Sequence, residues 1–596
     1  MDWDEYIKWG EEVVHWGSNY RKNIRNFPVR SQNKPGDTYN LIPASPPEKP
    51  EPIENIFDDF NNLIMPGITH WQHPRFFAYF PSNAAPASVL AEMLANTIGS
   101  QCMLWQTSPA ATELEEKIID WLRVSMGLPD GFKGIIQDTA SSATLTAVLT
   151  MREKSLNWTG NKTGLSGRSR LRIYASEEVH SSIDRAIWFS GIGEENLVRI
   201  PVYGELRSMD PDKLKNAIDQ DKKNGFLPAG IIAATGGTSS GSCDNISLIG
   251  DIASKEKLYL HVDAAWAGSA MICSEFRKLW AGIEKADSIV FNPHKWLGAQ
   301  FDCSVQFLKD PVIQKNTLSI SPEYLKTKGI EGITNLSDYT IQLGRRFRSL
   351  KLWFLMRAEG MSGLRTVIRN HVKWTEKLYV KIKDLENIEI TTLPILSLFT
   401  FRFVKSGISD NDELNERILR EINDEGKIYL TPTKVNNNYV IRFTAGTFEM
   451  DEKDLHVAYD CIKEKSEKEE EVRAYEDSAG LTDITCYYAS RPRRGNPYTC
   501  RFDEDAASGF TRTKTFYSCE NWALFSLDAN QEVHVQFQKH AEIARNCEGL
   551  QAELDEINSV IQARKLTRLS AENVVLDLLL ETEKVTDLVF AAKAAT

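Results

Sequence analysis

The chain has 596 residues, 42% of them hydrophobic and 26% charged, and a net charge of −12. That length exceeds one ordinary core and predicts several domains, and the acidic balance argues against nucleic acid or an anionic membrane surface as the main partner. No apolar run reaches the length of a membrane span, the acidic start Met1-Asp2-Trp3-Asp4-Glu5 lacks a signal-peptide core, and the nine scattered cysteines show no paired metal spacing, so reduced thiols, no metal and a cytoplasmic setting are expected.

Residues 1 to about 27 read as a helix, with Trp3, Ile7, Val13, Val14 and Trp16 near helical spacing. Residues 31–55 are rich in Pro, Asn and Lys and read as an extended connector. A helix followed by such an arm suits docking on a second subunit. The stretch from His70 to Pro81 holds more aromatic residues than a surface loop needs. It reads equally as core or as the wall of a pocket for a flat apolar substrate. Residues 86–105 read as helix, and so do 112–126, opened by a capping box of Thr112 and Glu115.

Gly134 to Gln137 reads as a short strand, followed by Asp138-Thr139-Ala140-Ser141-Ser142-Ala143-Thr144 and a further helix. Small residues let a phosphate approach the backbone, and a helix N-terminus offers unpaired N–H groups; the plain alternative is an ordinary N-cap. From there strand and helix alternate, as in a parallel α/β layer. Strands are predicted at 171–174, 198–202, 231–235, 258–265 and 287–291, with helices at 183–189, 211–223 and 247–254. In open sheets of this kind ligands bind at the carboxyl ends of the strands. Ser141, His180, Thr238, Asp263 and Lys295 all fall at such ends, and that coincidence predicts one site.

The last of these strands runs into Asn292-Pro293-His294-Lys295-Trp296. A lone lysine after a core strand is usually a surface lysine. Held at a rigid strand end and poorly solvated, it has a lowered pKa, and a neutral amine attacks carbonyls. A Schiff base with pyridoxal 5'-phosphate (PLP) requires this. That chemistry also needs a carboxylate on the pyridinium nitrogen, a plane stacked on the ring and donors for the phosphate. Asp263, His180 and the Thr139–Ser142 run supply one each.

Beyond residue 300 the pattern predicts a strand at 301–305, then a long loop over 321–341 that reads as a mobile lid. Gly344 to Lys351 opens a long helix. Helix 365–384, strand 397–404, helix 411–425, strand 439–444 and helix 451–464 read as a smaller α+β domain. In the tail, 486–526 has no clear period. Residues 531–583 look helical, with Val535, Leu550, Leu554, Ile557, Val560 and Ile561 as an amphipathic stripe. The expected division is an N-terminal helical arm and dimerisation segment (1–80), a large PLP-binding α/β domain (81–364), a small α+β domain (365–465) and an extension without assigned role (466–596).

Taken together, several stretches resemble the group II PLP-dependent decarboxylases, most closely the aromatic-L-amino-acid decarboxylase branch. They are His70 to Pro81, Ser108-Pro109-Ala110-Ala111-Thr112-Glu113-Leu114-Glu115, Val179-His180-Ser181-Ser182, His261 to Gly268, Asn292-Pro293-His294-Lys295-Trp296 and Leu343-Gly344-Arg345-Arg346-Phe347-Arg348. The resemblance covers roughly residues 1–465. It implies fold type I, the PLP-dependent transferase fold: a central, mostly parallel sheet, a smaller C-terminal α+β domain and, here, an extra and mainly helical tail. It implies a homodimer with the site at the interface and decarboxylation of an aromatic L-amino acid, whether tryptophan, tyrosine, phenylalanine or DOPA, to the arylalkylamine.

By position, the resemblance implies Lys295 as the Schiff-base lysine, Asp263 on the ring nitrogen, His180 stacked on the ring and Thr238 near the phenolic oxygen. Ala140, Ser141 and Asn292 would contact the phosphate, with Ala265 also in the cofactor site and His294 beside the lysine. Trp71, Tyr79, Phe80 and Pro81 would line the substrate pocket, Ser82 stands where a hydroxyl residue of the family reaches the site, and Met103 and Gly360 would shape the pocket. The family's mobile loop normally carries a tyrosine that helps protonate the product carbanion. Counting back from Leu343-Gly344-Arg345-Arg346, this chain has Leu336 there. Either a shifted loop lets Tyr339 serve, or His180 or a water donates, or the outcome is oxidative deamination to an aldehyde. Decarboxylation is the expectation because His180 is kept. A non-catalytic interaction paralogue would be expected to have lost Lys295.

Overall fold

The computed structural model describes residues 1–320, 332–405, 410–479 and three tail strands at 513–518, 521–527 and 533–537. Two compact units divide the chain, Met1–Val472 and Arg473–Thr596.

The first unit is built on a seven-stranded sheet. Its strands are β1 (Lys133–Gln137), β2 (Leu171–Ser176), β3 (Leu197–Ile200), β6 (Leu227–Ala234), β7 (Tyr259–Asp263), β8 (Ser288–Phe291) and β9 (Ser304–Leu308). A two-stranded hairpin, β4 (Val202–Tyr203) with β5 (Ser208–Met209), sits between β3 and β6 in sequence. The spatial order is β1-β9-β8-β7-β6-β2-β3, and β9 alone runs against the rest. Strands covered on both faces read as unbroken apolar runs. All four residues of β8 and all five of β7 are buried, each large apolar side chain contributing about 1.5–3 kcal/mol on burial.

The crossover helices start where local chemistry starts them. Asp210 caps helix Pro211–Lys223 through the Asp212 and Lys213 amides, with Pro211 in the first turn. Asn245 caps Ile246–Glu256 through the Leu248 amide. Thr139 caps Ala140–Ser155 through the Ser142 amide.

A second, antiparallel sheet follows in the order β10-β11-β13-β12, from β10 (Ile388–Ile395), β11 (Leu398–Phe403), β12 (Thr431–Val435) and β13 (Asn438–Thr444). The long helix Arg348–Ile382 precedes it and is broken at Gly360, whose φ of 63° is open to glycine without strain.

Several expectations are corrected. The expected start of a helix at Gly344–Lys351 and the helix at 365–384 are one element, Arg348–Ile382, with its break at Gly360. The helix expected over 86–105 ends at Ile98, because Gly99 adopts a left-handed C-cap. Thr112 and Glu115 form no capping box. The helix begins at Pro109 after Ser108, Thr112 Oγ1 donates back to the Ser108 carbonyl, and Glu115 turns inward to accept the Ile136 amide. In the tail, Val533–Phe537 is not helix but a strand, β16, in a meander with β14 (Thr513–Ser518) and β15 (Asn521–Leu527). Val533, Val535 and Phe537 alternate with polar residues, a two-residue period that suits a strand. The rest of the helical stretch expected there, and residues 321–331 of the expected lid, lie outside the described residues.

Candidate active site

The carboxyl ends of β1, β2, β6, β7 and β8 open on one cavity of about 180 Å³. Lys295 lies on its wall, in the short helical turn Pro293–Trp296 that follows β8. The residue is half-buried. Burial pushes its amine down to about 8, the Asp263 carboxylate pulls it back up, and Arg442 lowers it further.

Asp263 closes β7 and reaches the same cavity. Its Oδ1 accepts the Ala265 amide at 3.0 Å, which fixes the carboxylate at the strand end. His180 follows β2. Its Nδ1 accepts the Ser182 amide at 3.1 Å and faces the Ser182 hydroxyl at 2.9 Å. In the neutral ring this leaves the proton on Nε2, and desolvation lowers the pKa from the ordinary imidazole value.

At the β1 end, Thr139, Ala140 and Ser141 line the cavity at the start of the 16-residue helix Ala140–Ser155. Thr139 Oγ1 accepts the Ser142 amide and donates to Asp138 Oδ1, and the first amides of a helix start of this kind can seat an anion. Thr238 follows β6 on a tight Gly236-Gly237 turn. A side chain at Gly236 (φ 85°) would meet the Ala267 Cβ at 2.4 Å. Asn292 is held by the Ser304 hydroxyl at 2.5 Å. His294 accepts the Cys303 amide on Nδ1 at 3.0 Å, and burial pushes it down to about 3. The nine residues named for the cofactor, Ala265 among them, thus all line one cavity.

The donor set fits PLP. An amine of lowered basicity, a carboxylate on the neighbouring strand, an imidazole plane and a helix N-terminus converge from separate strands.

The residues named for the substrate are elsewhere. Trp71, Tyr79, Phe80, Pro81, Ser82, Met103 and Gly360 are not among those lining this cavity. Trp71 and Tyr79 stack on one another at 5.5 Å and stay 42% and 47% exposed, whereas Phe80 is buried on Trp266. Leu336 is buried in a turn with Tyr339. Ser337 donates to the Met103 carbonyl at 3.0 Å, and Gln137 and Gln314 both donate to the Tyr339 carbonyl. Neither Leu336 nor Tyr339 lines the cavity.

Sequence reasoning missed Arg442 on β13. Its Nε donates to the Thr238 carbonyl at 2.6 Å, and both terminal nitrogens are buried without a partner among the described residues. Burial pushes this guanidinium down to about 9. An arginine inside a mostly buried strand carries no sequence signal of its own. Only the packing of the small sheet against the Thr238 loop brings it near the lysine.

Residues 35–404 match the model of the pyridoxal-dependent decarboxylase conserved domain. The chain is 38% identical over 478 residues to the aromatic-L-amino-acid decarboxylase of Mus musculus, covering 78% of this chain and 98% of that one. It is 36% identical over 477 residues to the phenylacetaldehyde synthase of Arabidopsis thaliana, covering 78% and 96%. Among solved structures it is similar to Oryza sativa TDC with PLP and tryptamine, with a TM-score of 0.76, 32% identity and coverage of 78% and 99%.

Proposed function

Because the chain belongs to the pyridoxal-dependent decarboxylase family, we propose that it is a PLP-dependent carboxy-lyase that converts an aromatic L-amino acid to its arylalkylamine and CO2. The observation that carries this reading is the Lys295 amine facing Asp263 and His180 across one cavity.

PLP, when bound, supplies an aldehyde that condenses with amines and a ring that accepts the electrons left by departing CO2. Lys295 presents its neutral amine readily, because burial has already weakened its hold on the proton. Asp263 is the carboxylate for the ring nitrogen, and its bond from the Ala265 amide keeps it aimed. His180 gives a flat face and, in its neutral form, holds a proton on Nε2 that could be delivered at the substrate Cα. The helix that starts at Ala140 would seat the phosphate. Arg442 adds a buried positive charge that favours an anionic substrate group nearby.

A homodimer is part of this reading. The N-terminal helix Trp3–Asn23 has no buried residue, and Val89, Leu90, Met93, Leu94 and Ile98 of helix Pro86–Ile98 are all exposed. Such continuous apolar surface favours a partner copy. The exposed Trp71 and Tyr79 suit a substrate pocket completed across that interface. Cys102, Cys243, Cys273, Cys303 and Cys461 all carry free thiols, which supports a cytoplasmic setting. No described helix is long and apolar enough to cross a membrane.

A second reading, decarboxylation with oxidative deamination to an aryl acetaldehyde, is favoured by Leu336, which has no proton to give. One experiment separates the two. Purified protein is incubated with tryptophan, tyrosine, phenylalanine and DOPA while CO2, amine, peroxide and aldehyde are measured. Amine equal to CO2 is expected. Peroxide and aldehyde in place of amine would sink the simple decarboxylase reading.

A further inference from the structure

Asn83 lies four residues beyond the aromatic stretch's Tyr79 and is 1% exposed. Its backbone N–H and its side-chain amide are engaged on two sides. Its backbone amide donates to the His294 carbonyl at 3.1 Å. Its Nδ2 donates to the carbonyl of Lys295 itself and to the Gly446 carbonyl, the latter at 2.7 Å. Its Oδ1 accepts the Phe448 amide at 2.8 Å. Two donations and one acceptance from so short a side chain require a carboxamide. An aspartate would set oxygen against two carbonyls, and serine or alanine would leave most of them unpaired.

The two sides belong to different sheets. His294 and Lys295 sit in the turn after β8, whereas Gly446 and Phe448 continue from β13, the strand that carries Arg442. The approach is close throughout. A side chain at Gly446 would meet Phe80 at 2.6 Å, and one at Gly298 (φ 92°) would meet Phe448 at 2.6 Å. Beneath the turn, Trp296 Nε1 donates to His371 Nδ1 at 2.9 Å. The lysine turn is therefore held from below by an aromatic contact and from the side by Asn83.

Resting on the PLP reading above, we propose that Asn83 is a positioning residue for Lys295, tying the turn that carries the lysine to the β13 segment so that the amine stays aimed at the cofactor. It touches neither cofactor nor substrate. Its effect on both passes through the Lys295 backbone.

The test compares wild type with Asn83→Ala and Asn83→Asp. Three readouts are taken: PLP dissociation rate, the pH midpoint of the 420 nm absorbance, and thermal midpoints of the apo and holo proteins. The variants should release PLP about tenfold faster, the order expected when buried hydrogen-bond partners are stranded. Their 420 nm midpoint should move, and holo should gain less over apo than in wild type. A merely structural role lowers apo and holo in parallel and leaves PLP release within twofold of wild type. That result overturns the proposal. So does a failure of both variants to fold, which would make Asn83 a structural residue. A wild-type protein without a 420 nm band would overturn the cofactor reading along with this inference, and is thereby distinguishable from a band that Asn83 variants leave unchanged.

Discussion

At Lys295 the same burial that makes the amine reactive destabilises the protein without cofactor. An ordinary lysine holds its proton to about 10.5, this one only to about 8. Between those values the unfolded chain binds more protons than the folded one, so stability rises with pH across that window. Below pH 8 both forms are protonated and the folded state carries the whole cost of the buried charge. Lys295→Met removes this dependence. The apoprotein variant should gain on wild type by up to about 3 kcal/mol at pH 7, and the gain should fade as pH approaches 10.5. Urea unfolding of both apoproteins from pH 7 to 10 measures it, and a difference that stays flat with pH would contradict the burial argument. Lys295 and its neighbours were legible in the sequence because each ends a predicted strand, and sheet topology gathers strand ends by rule. Arg442 and Asn83 were not, since each acts through contacts between segments more than 140 residues apart in sequence. Thr112 and Glu115 misled because the capping pattern also describes two side chains turned inward.

Among elements, the segment just before helix Arg348–Ile382 shows how a buried charge holds strands and helices in register. Arg345 Nη2 meets Glu115 Oε1 at 2.7 Å, with both side chains 2% exposed. The guanidinium also donates to the Cys102 and Ile136 carbonyls, and Glu115 accepts the Ile136 amide. One pair thus joins helix Pro109–Met126, strand β1 and the entry to the long helix. Arg345→Met would leave Glu115 charged, buried and unpaired. It should destabilise by about 3–5 kcal/mol, with Glu115→Leu in the same chain restoring part of the loss. Chemical denaturation of the single and double variants measures this, and additive losses would refute the coupling. The sequence predicted the alternating strands and helices well where strands are buried on both faces. It missed β10 and β12. Ile388-Glu389-Ile390-Thr391-Thr392-Leu393-Pro394-Ile395 and Thr431-Pro432-Thr433-Lys434-Val435 each contain a proline, tolerated because both strands lie at sheet edges.

For the whole molecule, the question is what each of the two units contributes. The first unit holds every residue of the cavity, both sheets described above and the exposed apolar residues of helix Pro86–Ile98. The Mus musculus relative matches over 98% of its own length but only 78% of this chain, so part of this chain has no counterpart in that enzyme. Among the described residues of the second unit the strands form a meander of three. A chain ending after Ala479 keeps the helix Glu452–Ala479 intact. It should retain the 420 nm band, decarboxylate within about twofold of the full chain, and sediment as a dimer. The reason is that the apolar surfaces assigned to the dimer lie in the first 100 residues. If the proposed dimer forms through this surface, removing Met1–Asn23 from the same chain should shift it toward monomer and cost turnover, since the exposed Trp71 and Tyr79 would have no partner to close over them. Sedimentation velocity across a concentration series reads the first effect and initial rates the second. A monomeric variant with undiminished turnover would show that each protomer carries a complete site.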